Sequence, residues 1–502
     1  MEIPADIRGL IDSLVRRITA LEDRVCVLQR ENTSLRQENA LLRAANATLS
    51  RENAELRQEN ADLRRRLYLN SDNSRKPPSS DGLKKKPRIA GSLRETSQKK
   101  SGGQAGHKGG TLERSASPDR TARHTASHCA HCRAQLTESM ATGIESRQVF
   151  DMRAPRLDVT EHQAQIYTCA QCAHTTKAAF PDGVSSPVQY GPRIKAAAIY
   201  LNAQHLIPED RTSEIMSDLF GAPLLCPASI ATWSAALAER FQPVVDHIAA
   251  QLDRAPVRHL DETGFRIDGK GKWLHTVSTI ALTHYTVTEK RSEIPTTLVG
   301  GIVVHDHFKS YCRVPDVVHA YCNAHHLREL KALIDIEKEP WAKKMFRLLM
   351  RANKAVNRAI QQGKTALAEY QLRRIRRLYD AIIAKGLAFH ERMPALLKKP
   401  AARGRAPRRI GHNLLIRLHD FKDDVLRFAA DFTVPFTNNQ AERDIRMMKV
   451  KMKISGGFRT WEAAKIFVKI RSVLSTARKQ GWNILRTLMA TPEELIGKLN
   501  AA

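Results

Sequence analysis

Apolar residues along this chain change their spacing three times, and each spacing predicts a different element. Over residues 1–69 leucine recurs at every seventh position, as Leu14, Leu21, Leu28, Leu35, Leu42, Leu49, Leu56 and Leu63. Taking these as heptad d positions places Ile11, Ile18, Val25, Asn32, Asn39, Asn46, Asn53, Asn60 and Leu67 at a. Leu at d with β-branched residues or Asn at a favours a parallel two-stranded coiled coil, because facing Asn amides bond across the seam in register. The flanking charges agree: Glu31, Glu38, Glu52 and Glu59 would face Arg36, Arg43, Arg57 and Arg64 of a second copy. The alternative is a long solitary amphipathic helix. Five consecutive Asn layers weaken such a zipper while fixing its register and its number of strands.

Between about 190 and 250 the period is helical, in GPRIKAAAIYLNAQHL, PEDRTSEIMSDLF and PASIATWSAALAERF, with Pro208 and Pro227 as punctuation. After Pro256 the period falls to two. VRHLDETGFRI, KWLHTVSTIALTHYTV and GGIVVHDHFKSY read as strands, and VVHAYCNAH as a further one. A helical region follows from about 324 to 430. TNNQAERDIRMMKVKMK then opens another helix, with Asn438 or Asn439 as cap and Glu442 in its first turn.

Charge changes the picture next. The 502 residues carry 81 Lys and Arg against 52 Asp and Glu, a net +29, which predicts a polyanionic partner, nucleic acid before an anionic membrane. The surplus is local. Residues 1–69 hold 12 Arg against 11 acids, residues 70–130 hold 13 basic against 5 acidic, and residues 331–409 hold 21 against 6. No stretch approaches the ~20 apolar residues of a membrane span, and the N-terminus has no apolar signal core, so a membrane role is not expected. The Pro-, Gly-, Ser- and Lys-rich residues 70–110 cannot bury a core and read either as a solvated tether or as a basic arm touching DNA.

Eight cysteines in a chain of this length are no disulfide framework. Four form two CxxC pairs, Cys129 with Cys132 and Cys169 with Cys172, 36 residues apart. Two such knuckles suit one tetrahedral Zn, and RQVFDM and LDVTEHQAQIYTC between them alternate as strands of a small β-ribbon. Redox dithiols or unrelated thiols are the other readings, and His124, His128, His131 and His174 lie near enough in sequence to replace a cysteine.

The candidate chemistry is a carboxylate triad: Asp261 within the first strand, Asp306 just after the apolar run of a later strand, and Glu442 on the helix. In-line displacement at a phosphodiester is helped by two Mg²⁺ roughly 4 Å apart, and Mg²⁺ takes carboxylate oxygens. Arg443, Arg446, Lys449 and Lys453 follow at spacings of 3, 3 and 4, one helical stripe suited to phosphates. A single Asp in a strand is most often a surface or turn residue; only the combination points to catalysis. Cys322-x2-His325 reads as a packing or hydrogen-bonding pair, or as metal ligands helped by Cys312, His319 or His326. His305 and His307 either touch DNA or orient Asp306.

With these residues in view, the chain resembles the IS66-family insertion-sequence transposases over nearly its whole length. The matching stretches are NSDNSRKPPSSDG, GGQAGHKGG, the paired CxxC knuckles, LDETGF, VVHDHFKSY, CNAHHLREL and NNQAERDIRMMKVKMKISGGFR. The resemblance implies a DDE transposase with an RNase H-like core whose acids are Asp261, Asp306 and Glu442. The 136 residues from Asp306 to Glu442 imply a helical insertion, a slot that the basic residues 331–409 fill. The fold class expected is then multidomain α+β: a coiled coil (1–69), a basic linker (70–120), a zinc-binding β-ribbon (121–185) and a helical DNA-binding region (186–255). The core's first part (256–330), a helical insertion (331–425) and the core's second part with the catalytic Glu (426–502) complete it.

The resemblance also implies hydrolysis at transposon ends by a metal-activated water, then attack of the freed 3′-hydroxyl on target DNA, with no covalent protein intermediate. Two Mg²⁺ (or Mn²⁺) and one Zn²⁺ are the cofactors expected. Double-stranded DNA and a second copy joined through residues 1–69 are the partners, and the compartment is the bacterial cytoplasm, at the nucleoid. A non-catalytic DNA-binding regulator and an RNase H-like structure-specific nuclease are the alternatives.

Overall fold

The structure, a computed structural model, describes residues 5–70, 73–74, 112–151, 157–222, 225–294, 298, 300–398 and 403–501. Most of the expected linker lies outside these residues. In chain order the elements are α1 (Ala5–Tyr68), β1 (Ile166–Thr168), β2 (Thr175–Lys177), α2 (Pro192–Ile199), α3 (Glu209–Phe220), α4 (Pro227–Arg240), α5 (Gln242–Arg254), β3 (Val257–Ile267), β4 (Lys270–Ser278), β5 (Thr283–Thr288), β6 (Ile302–His305) and β7 (Val318–Tyr321). The helices α6 (Asn323–Ala332), α7 (Pro340–Gln361), α8 (Glu369–Glu391), α9 (Ile410–Asp420), α10 (Lys422–Ala430), α11 (Asn439–Ser455), α12 (Trp461–Lys479), α13 (Ile484–Met489) and α14 (Pro492–Asn500) follow. The fold is mixed α/β and divides into two compact units, residues 1–84 with 300–438 and residues 85–299 with 439–502.

In the second unit β3, β4 and β5 form an antiparallel meander, with Asp261 opposite Thr276 and Leu274 opposite Val287. KWLHTVSTIALTHYTV is two strands rather than one. The Thr279 hydroxyl accepts the N–H groups of Ala281 and Leu282, and this local turn reverses the chain where alternation alone runs on. One edge of β5 is served by α12: Thr476 Oγ1 accepts the Thr283 N–H at 3.1 Å and Ser472 Oγ the Tyr285 N–H at 3.0 Å. A helix thereby satisfies backbone groups that would otherwise invite another strand. Phe265, Ile267, Leu274, Tyr285, Ile445, Met448, Phe467 and Val468 make the core between the meander and helices α11 and α12.

The turn after α11 depends on a glycine. Gly457 has φ +153°, and a Cβ there would meet the Arg266 carbonyl oxygen at 2.4 Å. The Phe458 N–H donates to that same oxygen at 2.9 Å, which ties the end of α11 to the end of β3. Gly457→Ala should therefore cost about 1–3 kcal/mol from backbone strain alone. The check is a chemical denaturation midpoint; one unchanged from the parent would contradict this role.

In the first unit β6 and β7 pair in parallel, with Ile302 opposite Val318 and His305 opposite Tyr321. Helices α7, α8 and α9 bury Trp341, Met345, Leu349, Tyr379, Ile383, Leu414, Leu415 and Leu418. Gly386 allows their close approach, since a Cβ there would meet Leu415 at 2.6 Å. Helix α1 covers the expected heptad region in one run of 64 residues. Its d-position leucines are each 48–61% exposed, so the described residues leave the seam open.

The residues between the CxxC pairs depart from expectation. Gln148–Asp151 of RQVFDM are not strand, and only Ile166–Thr168 of the second segment is, pairing with Thr175–Lys177. Val149 and Phe150 are both exposed, so the alternation there has no buried face to define a strand.

Candidate active site

Asp261 is half-buried in β3, and its Oδ1 accepts the Glu262 backbone N–H at 2.9 Å. Successive strand residues point to opposite faces, so Asp261 shares a face with Thr263, Phe265 and Ile267 and Glu262 does not. Phe265 and Ile267 pack with Ile445 and Met448 of α11. Glu442 precedes Ile445 by one turn of that helix, so α11 packs on the face of β3 that carries Asp261. Glu262 is committed elsewhere. Its side chain is 3% exposed and accepts from Arg291 Nε at 2.9 Å, and the Arg291 guanidinium lies over the Trp273 ring.

The first turns of α11 are anchored from below. Asp444 pairs with Lys479 of α12 at 2.7 Å, both side chains about one-tenth exposed. The same ammonium donates to the carbonyls of Thr279 at 2.7 Å and Leu282 at 2.9 Å, in the β4–β5 turn. The Tyr285 hydroxyl donates to the Asp444 carbonyl at 2.7 Å. Burial draws the Lys479 ammonium below the usual lysine range, with Asp444 opposing, and pushes the Tyr285 hydroxyl up to about 12. These contacts fix the helix two residues beyond Glu442. On the outer face Arg443, Arg446, Lys449 and Lys453 are all exposed, as the stripe requires.

Asp306 lies in the first unit, immediately after β6, where its Oδ1 accepts the Phe308 N–H at 2.9 Å. Histidines brace it. His305 is wholly buried, and its Nδ1 reaches the Asp306 carbonyl while Nε2 meets His319 Nδ1 at 2.9 Å. With His305 donating to the carbonyl, His319 must donate to His305. Burial pushes His305 down to about 4 and His319 below its ordinary value, so both rings are neutral at neutral pH. His307 stacks on Tyr321 with ring centroids 3.8 Å apart, and its Nε2 meets His326 Nε2 at 2.9 Å. His305 is thus buried against the Asp306 backbone, which it orients.

Cys322 and His325 share this unit. Cys322 is buried, its Sγ accepts the Asn438 N–H at 3.1 Å, and its own N–H donates to the His305 carbonyl at 2.9 Å. A His325 ring nitrogen lies within 4.8 Å of the Cys322 sulfur. Cys312 is engaged by the Tyr321 hydroxyl at 3.3 Å. The Cys322 thiol thus joins the start of α6 to the residue before α11.

The CxxC knuckles repeat one geometry. The Arg133 N–H donates to the Cys129 carbonyl at 3.0 Å, the Ala173 N–H donates to the Cys169 carbonyl at 2.9 Å, and Arg133 and Ala173 both adopt positive φ. Backbone N–H groups of Cys132 and His131 lower the Cys129 thiol, and those of Cys172 and Gln171 lower Cys169. The structure does not gather the four: among the described residues no three of these sulfurs meet within 4.8 Å.

A family model described as transposase IS66 family matches residues 187–466, more than half of the chain. The chain belongs to this family of transposases. Asp261, Asp306, Glu442, Cys322, His325 and the basic stripe through Lys453 all fall inside the matched span of the transposase. The CxxC thiols fall outside it. A second model, for a family of unknown function (DUF6444), matches residues 3–113 and so spans α1 and the basic segment. No curated protein matches the chain. No helix among the described residues is long and apolar enough to cross a membrane. Sequence reasoning on this transposase missed Asp444, Lys479 and Tyr285, and the pairing of His319 with His305 and His326 with His307. The only sequence signal for them is their residue type, because the partners are separated by 14 to 159 residues.

Proposed function

We propose that this transposase binds transposon ends, cleaves them and joins the 3′ ends to target DNA, using Asp261, Asp306 and Glu442 as one metal-binding triad in an RNase H-like core. The observation that carries this reading is the family match over a span holding all three acids, with the Glu442 helix packed on the Asp261 face of β3. The neighbouring carboxylate, Glu262, is taken up by Arg291, which leaves Asp261 as the strand's candidate ligand. An all-oxygen donor set fits Mg²⁺ or Mn²⁺ and not a thiolate-loving ion. Two such ions bound there would activate the attacking oxygen and stabilise the leaving one. Asp261 and Asp306 would hold both, and Glu442 would complete the second. Arg443, Arg446, Lys449 and Lys453, exposed along α11, would bind phosphates and hold the DNA strand beside the carboxylates.

Cys129, Cys132, Cys169 and Cys172 are proposed to hold one structural Zn²⁺. Repeated knuckle turns, with backbone N–H groups favouring the thiolate at Cys129 and Cys169, support the assignment. Metal analysis of the purified protein should find about one Zn²⁺ per chain, a stoichiometry set by four thiolate ligands. Cys129→Ser with Cys132→Ser should lose it; zinc retained in that variant would refute the site. The exposed heptad leucines of α1 support a second copy pairing in parallel, so that two protomers bring two ends together.

The functional test supplies the intact protein with Mg²⁺ and transposon ends already cut to a 3′-hydroxyl. Joined products are expected. Cutting of intact ends without joining would establish a structure-specific nuclease, and binding without either a non-catalytic regulator.

A further inference from the structure

We infer that the outer face of α7, within the helical segment between Asp306 and Glu442, is a second docking surface for duplex DNA. This inference rests on the proposed DNA-joining function and adds to it a contact region that neither α11 nor the CxxC segment supplies.

Helix α7 carries six basic residues and no acid over Pro340–Gln361. Five of them, Lys343, Arg347, Arg351, Lys354 and Arg358, follow at spacings of 4, 4, 3 and 4 and are all exposed. At 100° per residue they fall within an arc of about 80°. The apolar residues Trp341, Met345, Leu349, Ala352 and Val356 are buried and occupy the opposite side. The fold therefore holds the helix by one face and leaves a straight cationic rail on the other, about 22 Å long at 1.5 Å rise per residue.

Two contrasts separate this rail from an ordinary solvated face. On α8 two of the arginines sit beside acids, Arg373 beside Glu369 at 3.5 Å and Arg376 beside Asp423 at 3.0 Å. On α7 the pairs 343/347 and 347/351 place like charges one turn apart, an arrangement that works against the helix. A surface assembled against its own stability points to a ligand of opposite charge. A rigid straight rail suits a rigid partner. Over ~22 Å a duplex presents on the order of a dozen phosphates, whereas an acidic protein segment offers no such regular line.

The test measures binding of the full-length protein to a 40-base-pair duplex of arbitrary sequence by fluorescence anisotropy across a salt series. Arg347→Ala with Arg351→Ala removes two charges from exposed positions and leaves the buried face intact. The slope of log affinity against log salt should fall by about 2, with affinity near 0.15 M salt falling on the order of 10-fold or more. Arg486→Ala with Lys498→Ala, which removes equal charge from exposed positions on α13 and α14, should leave the slope unchanged. An unchanged slope in the α7 variant, or a loss confined to a single strand of the same sequence, overturns the α7 surface. If that occurs while the intact protein joins pre-cut ends, the proposed function stands without it. If the slope falls as expected but no joining is found, the surface stands and the joining function fails.

Discussion

Asp261→Asn, Asp306→Asn and Glu442→Gln should each reduce joining of pre-cut ends by about 10³-fold or more, while binding of end-containing duplex changes by less than about twofold. The magnitude follows from losing one anionic ligand of a metal site worth several kcal/mol of transition-state stabilisation, each 1.36 kcal/mol being tenfold in rate. The fold should tolerate the changes. Asp261 and Asp306 each use Oδ1 to accept a nearby backbone N–H, a role that an Asn carbonyl oxygen repeats. Glu262→Gln supplies the control. It removes a carboxylate from the adjacent position on the same strand, but that carboxylate belongs to Arg291 on the opposite face. This variant should lose stability and keep metal-dependent joining. Equal loss of joining in Asp261→Asn and Glu262→Gln would mean that the face assignment on β3 is wrong.

Lys479→Met should destabilise the second unit by about 3–5 kcal/mol, because it leaves the Asp444 carboxylate buried without its cation. The carbonyls of Thr279 and Leu282 lose a donor at the same time. For a unit of this size the melting temperature should drop by roughly 10 °C. The double variant Lys479→Met with Asp444→Asn should recover much of the loss, since the stranded charge is gone. Thermal melts of parent, single and double variants measure both effects. A single variant melting with the parent would show that the pair does not anchor α11. Joining by the double variant should recover with stability, because Asp444 acts on Glu442 only by holding the helix.

Much of this arrangement was legible in the residues. Period-two alternation across VRHLDETGFRI placed Asp261 within a strand, and the structure gives β3 those bounds. Asn438 and Asn439 before an amphipathic run marked the start of α11 and put Glu442 in its first turn. Both are local signals, set by backbone periodicity and by capping. What escaped was non-local or depended on a single hydroxyl. Lys479 and Asp444 lie 35 residues apart, and nothing in either neighbourhood announces an ion pair. The Thr279 turn that splits one long alternating run into β4 and β5 rests on one side-chain oxygen. In RQVFDM the alternation is present, but its described residues are not strand and leave Val149 and Phe150 exposed. The basic stretch 331–409 was visible as a charge surplus, but only the buried face of α7 shows that five of its cations form one line.

Asp261, Asp306 and Glu442 are proposed to hold metal together. Iron(II) substituted for Mg²⁺ in the full-length protein, with ascorbate and peroxide, cuts the backbone only where the bound ion sits. Cuts clustered near residues 261, 306 and 442, all suppressed by excess Mg²⁺ and all weakened together in Asp261→Asn, are the result expected. Cuts confined to one of the three segments, or unchanged by Mg²⁺ and by the substitution, would contradict the shared metal site.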